Sequence, residues 1–164
     1  MIGQKSRSIT PPFLLTLIFF NNKLHNCLVD YGASTNFMTY VVCHKLNVQP
    51  QKCTTQIVQL EKSLIQVMGA IKDVLIRLSY DPSIHQVIDI YVVDIPKCYG
   101  MLLSMDWSMQ LGGYLTTNWS HMLVTKKGEN NYTRIERERY MKHTITDLDA
   151  INESFMFTNS VLGN

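Results

Sequence analysis

The sequence lacks any apolar run long enough to cross a membrane as a helix. A transmembrane helix needs about 20 apolar residues, whereas the apolar stretch of residues 13–20 gives way at once to the polar residues 21–23. Lys5 and Arg7 precede this stretch, as in a signal peptide, but no small-residue cleavage site follows it. We therefore expect residues 13–20 to form a buried first strand, and we expect no membrane partner.

Cysteine is scarce, and the cysteines show no paired spacing. The chain has four, and none of them belongs to a C-x-x-C pair or completes a zinc pattern with histidine. The five histidines also lack the i, i+4 spacing that places two ligands on one helix face. We therefore expect no metal and no cofactor. Reduced, buried cysteines are typical of the cytoplasm, which is the location we expect.

An excess of charge of one sign is missing as well. The net charge is +2, which is too small to predict binding to nucleic acid or to an anionic membrane. Residues 126–142 carry a modest local excess of basic side chains, and this mixture of both signs favours a solvated connector. A nucleic-acid-associated module that uses this basic tail is kept as an alternative function. Hydrophobic residues make up 46% of the chain, so a packed core is available.

Long helical periods are absent, and short apolar runs between turn residues dominate the chain up to residue 125. Alternating or β-branched runs of this length predict strands, and many short strands predict a mainly β domain. The predicted strands lie at residues 56–60, 74–78, 87–95 and 100–103, followed by a pair at 114–117 and 122–125.

Two short helices interrupt the predicted strands. Residues 35–46 have apolar side chains near helical spacing, with Ser34 or Thr35 as the cap. Residues 105–111 form the second helix, which Ser104 caps and in which Asp106 is a polar residue of the first turn. We divide the chain into a leader (1–11), one domain (12–125) and a charged connector or tail (126–164).

One carboxylate directly follows an apolar strand. Residues 27–29 are apolar, Asp30 comes next, and Gly32 follows two positions later. A strand end holds a carboxylate rigidly, and glycine lets the backbone approach a neighbouring loop closely. An aspartic protease needs this arrangement. Because surface turns also use Asp-x-Gly, the motif gains its meaning only from the residues around it.

The wider context resembles one family. Asp-Tyr-Gly-Ala-Ser at residues 30–34 resembles the Asp-Thr/Ser-Gly-Ala-Ser loop of retropepsin-like aspartic proteases. Residues 99–107 resemble that family's second element, a short apolar strand followed by a helix, and residues 60–69 resemble its flap hairpin. Residues 12–164 are similar to the polyproteins of plant gypsy-type LTR retrotransposons, in the stretch that leads toward reverse transcriptase.

The resemblance implies an all-β acid-protease barrel with a dimeric active site. It implies an aspartic endopeptidase that acts on polypeptide, with Asp30 as its catalytic residue, in the cytoplasm or in a retroelement particle. The further residues that it implies are the active-site loop Tyr31, Gly32, Ala33 and Ser34, the supporting residues Leu102, Leu103 and Ser104, and the flap residues Leu64, Ile65 and Val67.

The chain contains a single Asp-x-Gly. The family mechanism needs two carboxylates, so the second Asp30 must come from a homodimer partner. Two carboxylates about 3 Å apart cannot both ionise, and the pair therefore holds one proton. The ionised member activates a water, and the protonated member donates to the oxygen of the scissile carbonyl.

Position 31 departs from the family, which has Thr or Ser there. From the sequence we expect the bulky ring of Tyr31 to crowd the two-fold axis and to weaken the dimer. On that expectation, Tyr31→Thr raises both dimer affinity and activity. The alternative function is therefore a catalytically inactive remnant of the same fold that serves as a dimerisation or spacer module.

Overall fold

The computed structural model describes residues 12–60, 63–95, 99–115, 120–126, 128–138 and 145–147. No helix in these ranges is long and apolar enough to span a bilayer. The helices are α1 (Tyr40–Lys45) and α2 (Met105–Gln110). The strands are β1 (Leu14–Phe19), β2 (Asn22–Val29), β3 (Phe37–Thr39), β4 (Ile57–Leu60), β5 (Ser63–Leu78), β6 (His85–Val93), β7 (Met101–Leu103), β8 (Tyr114–Leu115), β9 (His121–Thr125), β10 (Tyr132–Glu136) and β11 (Ile145–Asp147).

Six of these strands close into a barrel. Their order is β1-β2-β7-β3-β6-β5, and the ring closes because β1 pairs with β5 as well as with β2. The β2–β7 and β3–β6 pairs are parallel, and the other neighbours are antiparallel. Closure removes the exposed edges of an open sheet. The predicted mainly β barrel, with a short helix after the loop and another near Met105, is confirmed.

Strand β7 runs between the two strands that flank the loop of residues 30–36. It pairs with β2 on one side and with β3, through Phe37 and Leu102, on the other. The approach to β2 is close enough to require glycine at position 100, because a Cβ there would lie 2.2 Å from the carbonyl oxygen of His25.

The barrel interior holds one large apolar cluster. Aliphatic side chains from alternate strand positions fill it, together with Trp107 of α2, which is 2% exposed. Complete burial of a large apolar side chain contributes about 1.5–3 kcal/mol, so this cluster is the main source of stability. A smaller second cluster is separate from it and consists of Ala33, Phe37, Val67, Val93 and Leu102.

The helix predicted at residues 35–46 is shorter than expected, and its first part is a strand. Residues 37–39 form β3, and α1 begins only at Tyr40, with Thr39 in place of Ser34 or Thr35 as its N-cap. Pairing with β6 and β7 overrides the helical pattern, because Phe37 contributes more when it is buried between those strands. Helix α2 begins after Ser104 as predicted, although the Ser104 side chain makes no capping hydrogen bond.

The described part of residues 126–164, where the composition predicts a connector, contains two strands. Strand β10 pairs with β9 along its whole length and buries Ile135 in the large cluster. Strand β11 pairs with the first half of β2, and Glu138 forms a β-bridge with Leu14. The exposed charges of β10 hide its alternation, which is why the sequence did not predict this strand.

Candidate active site

Asp30 begins the loop that follows β2, and β7 holds its backbone. The last pair of the parallel β2–β7 ladder is Val29 with Leu103. The ladder continues one step further, because the Asp30 amide donates to the carbonyl oxygen of Leu103 at 2.8 Å. Asp30 as a whole is half-buried. Leu103, predicted to support the loop, therefore contacts the predicted catalytic residue directly.

Gly32 fixes the orientation of the Asp30 carboxylate. Its amide donates to Oδ1 of Asp30 at 2.8 Å, and the Ala33 amide donates to the Asp30 carbonyl at 3.1 Å. A Cβ at position 32 would lie 3.2 Å from Oδ1, so a larger residue would push the carboxylate away. The loop thus presents an oriented carboxylate that can act as a base.

Asn36 closes the loop, and sequence reasoning missed it. This side chain is buried, and its Oδ1 accepts from the Ser104 amide at 3.0 Å. Its Nδ2 donates to the carbonyl oxygen of Asp89 in β6 at 3.2 Å. Asn36 therefore ties the end of the loop to the start of α2 and to β6. Asn36 follows the polar residues Ser34 and Thr35, so its place in the sequence did not distinguish it from an exposed loop residue.

Tyr31 packs against its own protomer. Its half-buried ring contacts the large cluster, and its hydroxyl lies 3.3 Å from Oγ of Ser108 in α2. From the sequence we expected the ring of Tyr31 to crowd the two-fold axis of a dimer. In the structure the ring lies against the large cluster of its own protomer.

The hairpin of β4 and β5 matches the position predicted for the flap. Its paired residues run from Ile57 with Gln66 to Leu60 with Ser63, and residues 61–62 lie outside the described residues. Strand alternation separates the three predicted flap residues. Ile65 and Val67 pack with the second cluster, whereas Leu64 lies on the opposite face and is 75% exposed.

The second cluster joins the loop to the hairpin. Ala33 of the loop and Leu102 of β7 are buried together with Val67 of β5, and Val58 and Ile65 pack against them. Ser34, the next residue of the loop, is exposed and does not belong to this cluster. Apolar side chains therefore lie between the carboxylate loop and the hairpin.

Other reactive groups do not form a site among the described residues. No group of three or more His, Cys, Asp or Glu side chains there could hold a metal ion. Burial raises the pKa of the Cys27 thiol far above its usual range, and the nearby Glu138 raises it further. A thiol that stays protonated is a poor nucleophile. Asp106 lies in the first turn of α2, as predicted.

Comparison with known proteins identifies the fold. The closed barrel, the position of β7 between β2 and β3, and the hairpin of β4 and β5 together define a retroviral protease-like fold. The retroviral protease-like domain of Ddi1 from Leishmania major aligns with a TM-score of 0.53 and 9% identity, over 79% of this chain and 98% of that one. EIAV protease in complex with the inhibitor HBY-793 aligns with a TM-score of 0.52 and 19% identity, over 67% of this chain and 97% of that one. No protein-family model and no curated protein matches the chain.

Proposed function

We propose that this protein is an aspartic endopeptidase whose catalytic residue is Asp30. One observation carries the proposal: the backbone amide of Asp30 donates to the Leu103 carbonyl, and the Gly32 amide donates to Oδ1 of the Asp30 carboxylate. A carboxylate oriented in this way, at the edge of an apolar cluster under a hairpin, suits a base that activates water beside a bound peptide. The EIAV protease neighbour binds an inhibitor within the same fold.

The single Asp-x-Gly requires a homodimer for this chemistry. Each protomer supplies one Asp30, and the two carboxylates share one proton because like charges at about 3 Å cannot both ionise. One Asp30 removes a proton from water, the water attacks the scissile carbonyl carbon, and the other Asp30 protonates the carbonyl oxygen. The hairpins and the second clusters of both protomers hold the peptide in an extended conformation.

We place the activity in the polyprotein of an LTR retrotransposon of the plant gypsy type, in the cytoplasm or in the particle that such an element forms. The similarity of residues 12–164 to those polyproteins supports this assignment. The substrate is then the polyprotein itself. The inactive remnant is the competing function, and it has the same fold, so only an activity measurement separates the two.

The deciding experiment replaces Asp30 by Asn. Asn has nearly the same shape and cannot exchange the shared proton, so we expect Asp30→Asn to remove cleavage of a polyprotein-derived peptide while the thermal unfolding midpoint changes little. Asp106→Asn is the matched control, because Asp106 lies on α2 and we expect it to retain most of the activity. Equal loss in both variants contradicts the assignment of Asp30, and the absence of cleavage by the natural chain at high protein concentration favours the remnant.

A further inference from the structure

The residue after Asp30 makes a contact that links the active-site loop to a helix. Tyr31 extends from the loop to α2, where its hydroxyl lies 3.3 Å from Oγ of Ser108. Ser108 is 1% exposed and Tyr31 is half-buried, so this contact is partly shielded from water. A buried hydroxyl is normally hydrogen-bonded, because an unsatisfied one loses its interaction with water without compensation.

The direction of the hydrogen bond follows from the number of protons. The Ser108 hydroxyl donates to the carbonyl oxygen of Met105 at 3.0 Å, one turn earlier in α2. A serine hydroxyl has only one hydrogen, so Oγ can only accept from a further partner. The Tyr31 hydroxyl is therefore the donor. Oγ of Ser108 accepts this hydrogen bond, while the Ser108 hydroxyl donates its own hydrogen to the Met105 carbonyl within α2.

Three contacts then hold the loop against the segment of residues 103–108. The Asp30 amide donates to Leu103, the side chain of Asn36 accepts from the Ser104 amide, and the Tyr31 hydroxyl donates to Ser108. The first and second hold the two ends of the loop. Tyr31 is adjacent to both Asp30 and Gly32, whose amide orients the carboxylate.

We propose that Tyr31 is a positioning residue: its hydrogen bond to Ser108 holds the turn between Asp30 and Gly32 in the geometry that orients the carboxylate. This inference rests on the proposed function for its effect on catalysis. It reverses the direction expected from the sequence, because loss of the tyrosine now impairs the loop, whereas crowding would have made the loss beneficial.

The test removes each half of the contact in the full chain. The variants are Tyr31→Phe, which keeps the ring, Ser108→Ala, and the double variant, with Tyr80→Phe as control because Tyr80 is 68% exposed. Amide hydrogen exchange is measured by NMR at Gly32, and at Ile90 in the core of β6 as the reference. We expect exchange at Gly32 to become about two- to tenfold faster in each single variant, the factor expected from one buried hydrogen bond. The double variant should add nothing further, because both changes remove the same bond.

Peptide cleavage is measured on the same variants. We expect kcat to fall by a similar factor in Tyr31→Phe and Ser108→Ala while KM stays nearly constant, because orientation of the base affects the chemical step more than binding. Unchanged exchange at Gly32 in Tyr31→Phe overturns the inference, and so does equal acceleration at Gly32 and Ile90, which would mean general destabilisation. If the natural chain cleaves nothing, the proposed function fails, and Gly32 exchange still decides whether Tyr31 positions the loop.

Discussion

At the scale of single residues, the site depends on side chains that bond to backbone groups across the loop. Asp30 is oriented by the Gly32 amide, and Asn36 joins the Ser104 amide to the Asp89 carbonyl. Such bonds fix geometry because a backbone group cannot move without moving its strand. Asn36 matters in particular, since its removal would leave the buried Ser104 amide and the partly buried Asp89 carbonyl without this partner.

We therefore predict that Asn36→Ala destabilises the protein by about 1–3 kcal/mol, the sum expected for two hydrogen bonds of about 0.5–1.5 kcal/mol each. The free energy of unfolding is measured by urea denaturation. Asn131→Ala serves as control because Asn131 is exposed, and we expect a change within about 0.5 kcal/mol there. A loss for Asn36→Ala no larger than that of the control would show that this side chain does not hold the loop.

At the scale of elements, the sequence predicted the positions of most strands but not the partners that some residues choose. The apolar run before Asp30 and the one at residues 101–103 gave β2 and β7, because period-two patterns and turn residues are local. Phe37 and Met38 fit a helix or a strand equally well, and only their neighbours in β6 and β7 decide between them. The same limit explains Asn36 and Tyr31, whose partners lie on elements distant in sequence.

The hairpin of β4 and β5 gives a prediction at this scale. With a peptide-like aspartic protease inhibitor bound, we expect slower amide exchange at residues 57–58 and 63–67, because Ile65 and Val67 pack toward the loop cluster and would cover the ligand. Mass-spectrometric hydrogen exchange with and without inhibitor measures this. Strands β9 and β10 are the internal reference, since their buried residues belong to the other cluster. Inhibitor binding without added protection in the hairpin would contradict its role as a flap.

The turn before β6 gives a pH-dependent prediction. The Ser83 hydroxyl donates to Asp81 at 2.6 Å, Lys126 lies 2.9 Å from the same carboxylate, and these two contacts hold the pKa of Asp81 below its usual value. Because the folded-state pKa is the lower one, the contribution is present above the unfolded value of about 3.9 and is lost as pH falls through the folded value.

We expect Asp81→Asn to lower the urea midpoint at neutral pH, and we expect the difference from the natural chain to disappear in strong acid. Asp94→Asn, at an exposed position, is the control and should have little effect at either pH. A difference that persists unchanged in acid would mean that the ionised carboxylate is not the stabilising species.

At the scale of the whole molecule, one protomer contains half of the proposed catalytic pair. The ring closes within one chain, since β1 pairs with β5, and we therefore expect the protomer to fold without a partner. Catalysis does require one under the proposed mechanism. Folding and activity should therefore depend on protein concentration in different ways.

We predict a reversible monomer–dimer equilibrium in which specific activity falls on dilution while the thermal unfolding midpoint changes less. Sedimentation equilibrium over a wide concentration range gives the dissociation constant, and parallel cleavage assays give the activity at each concentration. In the proposed mechanism the fraction of dimer and the specific activity reach half of their maximum at the same protein concentration. Full activity from a protein that remains strictly monomeric would exclude the shared pair of Asp30 carboxylates.

The pairing of β11 with β2 has a consequence for how this domain can be produced. Residues 145–147 cover the backbone of residues 22–24, and Glu138 covers Leu14. A fragment that ends at residue 125 would leave these backbone amide and carbonyl groups unpaired at an exposed edge of the sheet. Unpaired edges can pair with other chains and so promote aggregation. It would also lose Ile135 from the interior. A recombinant fragment that ends after residue 147 should stay soluble where the shorter one precipitates.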